Sequence, residues 1–290
     1  MLDYENVRNW TSGDIAYTCS PQSAMLYALG VGMSQDPLDR DQLRYTTEKD
    51  MRVLPSMATV LAHPGFWIRD RKEMGIDHVR MVHGEQAFQL HRPLPSSGAI
   101  IGRSRVTRVV DKGAGKGALI HVEKRLFDAT SDALLAVCDS VVFCRGDGGF
   151  SANGGGDPAG EAPKATPDTA PDLVVDLPTR PETALIYRLS GDYNPLHSDP
   201  DVATAAGFPR PILHGLGTYG VACHGLVKAF CGYDAARLKS MGARFSAPTF
   251  PGDVIRLECW RTDEGIAFRA RVPARDVTVL SHGHAVCSEV

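Results

Sequence analysis

The sequence predicts an α+β protein in which one buried helix is wrapped by an antiparallel sheet. Three observations lead there. Residues 216–230 place Leu216, Tyr219, Val221, Ala222, Leu226, Val227 and Phe230 around most of a helical circumference, with Gly217, Gly220 and Gly225 adding little bulk. A helix that is apolar on most sides is a buried one. Four apolar-rich, strand-like segments follow it with no further helix between them. A glycine- and proline-rich stretch at 146–172 divides the 290 residues into similar halves, as expected for a chain about twice the usual single-domain length.

Taken in order, residues 1–145 begin with a helix at 22–29 that stops at Gly30. Strands at 79–91, 98–110, 118–128 and 134–143 then read as an antiparallel meander, with Asp111-Lys112-Gly113-Ala114-Gly115-Lys116-Gly117 as one of its turns. Residues 146–172 are too poor in large apolar groups to offset their ordering entropy and read as an exposed linker. In the second half, 173–290, a short helix at 181–189 carries Pro181 in its first turn, where proline is tolerated. The long helix comes next, then strands at 239–246, 253–262, 265–274 and 277–287. Both halves contain a His-Gly pair (His83-Gly84 and His214-Gly215) and a proline-to-glycine turn ahead of an apolar strand, a pattern suggestive of duplication.

Composition removes several classes of function. The chain is 43% hydrophobic and 22% charged, ordinary for a soluble globular protein. Lys+Arg number 31 against 34 Asp+Glu, for a formal charge of −3, so no whole-protein field draws in nucleic acid or acidic lipid. Seven cysteines, an odd number with no Cys-x-x-Cys, argue against a zinc ribbon or a disulfide framework. They are expected to be reduced thiols. No apolar run approaches the ~20 residues of a membrane span. Residues 1–6 lack the basic start of a signal peptide, and residues 287–290 are not the Ser-Lys-Leu peroxisomal address. A cytoplasmic protein is expected. Gly113–Gly117 lacks P-loop spacing, and no histidine spacing is ligand-like, so neither a cofactor nor a metal is expected.

The informative stretch is Tyr187-Arg188-Leu189-Ser190-Gly191-Asp192-Tyr193-Asn194-Pro195-Leu196-His197, with Ala203 beyond it. Gly191 and Pro195 interrupt any helix, which leaves Asp192, Asn194 and His197 on a bent loop. A carboxylate and an imidazole brought together there can hold one water and exchange a proton with it. The same residues alone also read as an Asx-type turn with a surface histidine. The whole pattern, Tyr-x-x-Ser-Gly-Asp-x-Asn-Pro-x-His-x5-Ala, resembles the hydratase 2 motif of the MaoC-like dehydratase family. Residues 208–215 and 244–253, and in the first half 82–86 and 91–95, resemble further segments of it.

The resemblance implies an α+β double hot-dog fold, two antiparallel sheets each associated with a central helix, with room for a reduced helix in the first repeat. It also implies (R)-specific hydration of trans-2-enoyl-CoA. Asp192 and His197 would be the acid/base pair, Asn194 would orient them, and the backbone N–H of Gly215 would receive the thioester oxygen as it becomes enolate-like. A helix N-terminus with its free N–H groups and positive dipole end suits that last role. Arg244 and Phe245, with His214, His83 and Gly84, are the candidates for contacting substrate or CoA. Arg244 equally reads as the partner of a strand neighbour, and His83 as a structural histidine. The first half has no Asp-x-Asn-Pro-x-His and is expected to be silent, shaping the acyl pocket. The expected partner is an acyl-CoA thioester; a monomer is feasible and a homodimer is favoured. A hot-dog acyl-CoA thioesterase, a specialised dehydratase using the same pair, and an idle acyl-CoA-binding protein are the alternatives. The idle protein is disfavoured because both Asp192 and His197 are present.

Overall fold

Alternating burial builds the sheet. In Gly265–Val272, the residues Ile266, Phe268, Ala270 and Val272 are buried while those between them face outward, the two-residue period of a half-covered strand. The computed structural model describes residues 1–288; Glu289 and Val290, on which part of the C-terminal address reading falls, lie outside the described residues. Ten strands are present among them: β1 (Thr11–Cys19), β2 (Met81–Leu90), β3 (Gly98–Asp111), β4 (Ala118–Asp128), β5 (Leu134–Cys144), β6 (Leu173–Pro178), β7 (Leu238–Phe245), β8 (Val254–Thr262), β9 (Gly265–Val272) and β10 (Val277–Cys287). The helices are α1 (Tyr4–Arg8), α2 (Pro21–Gly30), α3 (Arg40–Leu43), α4 (Trp67–Asp70), α5 (Thr183–Tyr187), α6 (Pro200–Ala205) and α7 (Gly215–Cys231).

The strands form one sheet in the order β1-β3-β4-β5-β2-β7-β10-β9-β8-β6. Read outward from the centre, β2-β5-β4-β3-β1 and β7-β10-β9-β8-β6 have the same connectivity. The antiparallel pair β2–β7, in register from Glu85 opposite Arg244 to Gln89 opposite Ser240, joins the two five-stranded units. This is the double hot-dog arrangement. The predicted four-strand meander needs correction, because β2 does not pair with β3 but lies on the far side of β5. The connection from His91 to Ser97 is a crossover, which frees the second edge of β2 for β7. The outermost strands, β1 and β6, were not foreseen. Their residues are mostly exposed or half-exposed, so they lack a clear apolar alternation.

The long helix α7 is buried as expected. A Cβ on Gly220 would stand 2.5 Å from Val31 Cγ1, so the absent side chain lets α2 and α7 pack closely. Among the described residues the first half has no helix as long as α7 ahead of β2: between α2 and β2 lie only α3, α4 and the 3-10 turns Pro55–Thr59, Lys72–Met74 and His78–Arg80. The short helix expected at 181–189 is α-helical only over α5, tightens to a 3-10 turn at Arg188–Ser190 and stops at Gly191 (φ +119°). Residues 146–172 are not wholly exposed. Phe150 is buried with Leu2, Val7, Trp10 and Val106 in a second small core, and the Asp157 carboxylate accepts the Val109 N–H at 2.7 Å. One aromatic ring and one carboxylate are enough to strap this segment to β3.

Candidate active site

The loop after α5 is shaped by its own side chains. Gly191 takes a left-handed backbone that most residues resist. Asp192 Oδ1 then accepts the Asn194 N–H at 3.1 Å. Asn194 Oδ1 accepts the Leu196 N–H at 3.1 Å and caps the 3-10 turn Pro195–His197. Asn194 therefore holds the turn that presents His197, which is the physical content of its expected orienting role. The predicted Asx turn and the predicted water-holding pair occupy the same residues.

His197 is buried, and its Nδ1 lies 2.9 Å from the carbonyl oxygen of Ile212. A carbonyl only accepts, so Nδ1 carries the proton and Nε2 of the neutral ring keeps a lone pair. Burial lowers the pKa of His197, opposed by the Ile212 carbonyl and the Asp192 carboxylate. Ile212 belongs to the extended segment entering α7, so this one hydrogen bond ties the loop to the start of the central helix. Gly215, the first residue of α7, is exposed. First-turn N–H groups have no intrahelical acceptor, and the N-cap residue His214 makes no side-chain cap bond to them. An anionic oxygen can approach that helix end from the open side.

His214 is not placed as a CoA contact. It is 1% exposed, stacked on His197 with ring centroids 3.7 Å apart at 29°, and its Nε2 donates to the Asp192 backbone oxygen at 3.1 Å. Burial, with His197 and Arg188 adding to it, lowers its pKa to about 4. Asp192, His197 and His214 each bring one donor atom within 4.8 Å of the others. Stacked rings aim their nitrogen lone pairs side by side rather than at one point, so the cluster suits a hydrogen-bonded water better than a cation's converging ligand set.

Of the other candidates, Phe245 and His83 meet across the β2–β7 joint, with ring centroids 4.8 Å apart. Phe245 also lies against Gly215, where a Cβ would stand 3.3 Å from its ring. His83 Nε2 donates to the Glu85 oxygen at 3.1 Å, and burial lowers its pKa to about 4, opposed by the Glu85 carbonyl and the Asp192 carboxylate. Gly84 stands at the register shift between His83 and Glu85, packed against the Val141 carbonyl, so it bends β2 rather than lining the cleft. Arg244 needs correction. It faces the opposite side of the sheet, donating to Glu85 Oε1 at 2.7 and 3.0 Å beside a trough of about 250 Å³. Neighbouring residues of a strand point to opposite faces, so Arg244 and Phe245 cannot both line one site.

Sequence reasoning missed His63. Its Nδ1 accepts the Gly65 N–H at 3.0 Å, which leaves the proton of the neutral ring on Nε2. His63 is exposed at the surface, yet the protein packed around its ring lowers its pKa, with Lys124 and His83 adding and Asp192 opposing. Its turn is held by buried Lys124, whose Nζ donates to the Thr59 and Leu61 oxygens at 2.9 and 2.6 Å. Ala62-His63-Pro64-Gly65 carries only a turn signal, so nothing local marks His63 as lying in the field of Asp192.

Two family models match the chain: a MaoC like domain over residues 162–282 and an MFE-2 hydratase 2 N-terminal domain over residues 17–146. The chain is 43% identical to 3-hydroxyacyl-thioester dehydratase Y of Mycobacterium tuberculosis, over 88% of this chain and 87% of that one. It is 35% identical to the peroxisomal enoyl-CoA hydratase 2 of Arabidopsis thaliana, over 91% and 89%. The crystal structure of a MaoC-like dehydratase from Phytophthora capsici superposes with a TM-score of 0.87 at 31% identity, covering 99% of this chain and 98% of that one.

Proposed function

From the premise that the chain belongs to the MaoC-like dehydratase family, we propose that it is a hydro-lyase adding water to trans-2-enoyl-CoA to give (R)-3-hydroxyacyl-CoA, reversibly. The observation that carries the reading is the meeting of Asp192, His197 and His214 within 4.8 Å beside the exposed first residue of α7. Asp192 and His197 clamp one water. Its oxygen bonds to C3 of the enoyl group while a proton passes to the pair, and the pair returns a proton to C2, so one water is consumed and nothing else changes. Charge that builds on the thioester oxygen is met by the Gly215 N–H and the positive end of α7. The thioester itself makes C3 electrophilic and the C2 proton acidic, so no metal or redox cofactor enters the scheme.

The same reading divides the labour along the chain. Residues 173–290 carry the reacting groups, residues 146–172 connect the repeats, and residues 1–145 shape the acyl pocket, with His83 against Phe245 at the joint. Seven free cysteines, six of them buried, support a reducing compartment such as the cytoplasm, and no helix among the described residues is long and apolar enough to cross a membrane. Exposed Leu185, Leu189 and Tyr193 offer the apolar surface from which a homodimer contact could be built; sedimentation of the purified chain tests it.

The deciding experiment mixes the protein with crotonyl-CoA. Loss of enoyl absorbance without release of free thiol, and an (R) product on chiral analysis, is the expected result. Free CoA thiol would instead make it a thioesterase, with the water directed at the carbonyl carbon.

A further inference from the structure

His214 occupies a position that neither the acid/base roles nor the oxyanion role explains. It is the N-cap of α7 but does no capping. Its Nε2–H goes to the Asp192 backbone oxygen, its ring covers that of His197, and its buried Nδ1 has no hydrogen-bond partner in the protein. On the other side its ring meets Tyr187, with centroids 5.0 Å apart and 49° between planes. One imidazole thus touches the carboxylate's own backbone, the face of the catalytic imidazole and the end of the helix that supplies the oxyanion N–H. We propose that His214 is a positioning residue that locks the Asp192 loop and the His197 ring to the start of α7 and keeps His197 dry and neutral. The inference rests on the acid/base reading above and adds to it the group that sets the protonation state of the base.

The physical reasons are separable. Donation from Nε2–H fixes which way the Asp192 peptide faces, and hence where its side chain starts. Stacking removes water from one face of His197, and loss of hydration disfavours the imidazolium form. A second proton on His214 would repel a proton on His197, but the buried ring resists that proton. The groups facing this pair are Asp192 on the loop, Arg188 from the turn before it and the phenol of Tyr187; His83 and His63 of the first repeat lie in the field of the same carboxylate. Of these Asp192 favours the imidazolium and Arg188 disfavours it. The ring of His214 lies directly on that of His197, and replacing it changes hydration there without changing net charge.

Two variants split the two contributions. His214→Phe keeps a flat ring over His197 and loses the donor to Asp192. His214→Gln keeps an N–H donor and loses the ring. Each is followed by the pH profile of kcat/KM with crotonyl-CoA and, independently of activity, by titration of the His197 ring in long-range proton–nitrogen NMR spectra. For His214→Gln the titration of His197 and the acid limb of the profile should both move up by about half a unit or more as water reaches the ring. For His214→Phe the titration should stay in place while kcat falls roughly tenfold or more from the loosened loop. If His197 titrates as in the parent in the folded Gln variant, or if His214→Phe retains parental kcat, the positioning role is wrong. A parent enzyme that hydrates no enoyl-CoA would overturn the acid/base reading instead, and the NMR titration would still report on His214.

Discussion

Position 215 offers a direct test of the oxyanion N–H, because proline is tolerated at the first position of a helix, where its missing N–H breaks no helical bond. The residue before a proline must be extended, and His214 already has φ −52° and ψ 139°. Gly215→Pro therefore deletes the donor while leaving α7 intact. A Cβ at 215 would stand 3.3 and 3.4 Å from two carbons of the Phe245 ring, so any side chain here asks that half-buried ring to move by a few tenths of an ångström. Gly215→Ala is the control: it adds the same crowding and keeps the N–H. Alanine also relieves glycine's conformational cost, by at most about 0.5–1 kcal/mol, so Gly215→Ala should unfold in urea within about 1 kcal/mol of the parent. Its turnover should fall no more than roughly tenfold, the cost of crowding alone. Loss of an oxyanion donor costs about 10²–10³ in kcat, and Gly215→Pro should show that loss beyond the alanine control. The assay is crotonyl-CoA hydration at saturating substrate, beside urea melts of all three proteins. A folded proline variant no slower than the alanine variant would refute the assignment of the Gly215 N–H.

Asp192→Asn and His197→Ala should each lower kcat by at least about 10²-fold while melting near the parent; near-parental turnover in either would remove the acid/base pair. Arg244→Ala should leave KM unchanged and cost under about 1 kcal/mol, because its partner Glu85 and it are both partly exposed. Phe245→Ala, on the opposite face of the same strand, should impair kcat/KM, and a reversed outcome in a kinetic comparison would return Arg244 to the site. Stability should also fall with acid. His214 and His224 are buried with pKa values lowered to about 4, so from about pH 6.5 down to 4 the unfolded chain takes up protons that the folded chain refuses. Each should remove on the order of 2 kcal/mol of unfolding free energy between pH 6.5 and 5, and a flat profile from pH 7 to 5 in urea titrations would contradict their neutral burial.

Much of this protein was legible because its signals are local. The buried helix shows in one run of apolar residues, eight of the ten strands' approximate bounds in period-two patterns and turns, and the Asp192–His197 loop in a motif whose glycine, asparagine and proline bend the chain by themselves. The opposite facing of Arg244 and Phe245 was also available, since alternation along a strand requires it. What only the tertiary structure decided is long-range. The placement of β2 beside β5 and β7 depends on which edges are left free once both repeats fold, and β1 and β6 pair at the rims with little apolar surface to announce them. His83 meets Phe245, more than a hundred positions away in sequence, through a bulge at Gly84. The stacking of His214 on His197 likewise required α7 to begin where the loop returns. Sequence periodicity reports which face of an element seeks burial, but a contact between two faces is settled only when the whole chain has chosen its neighbours.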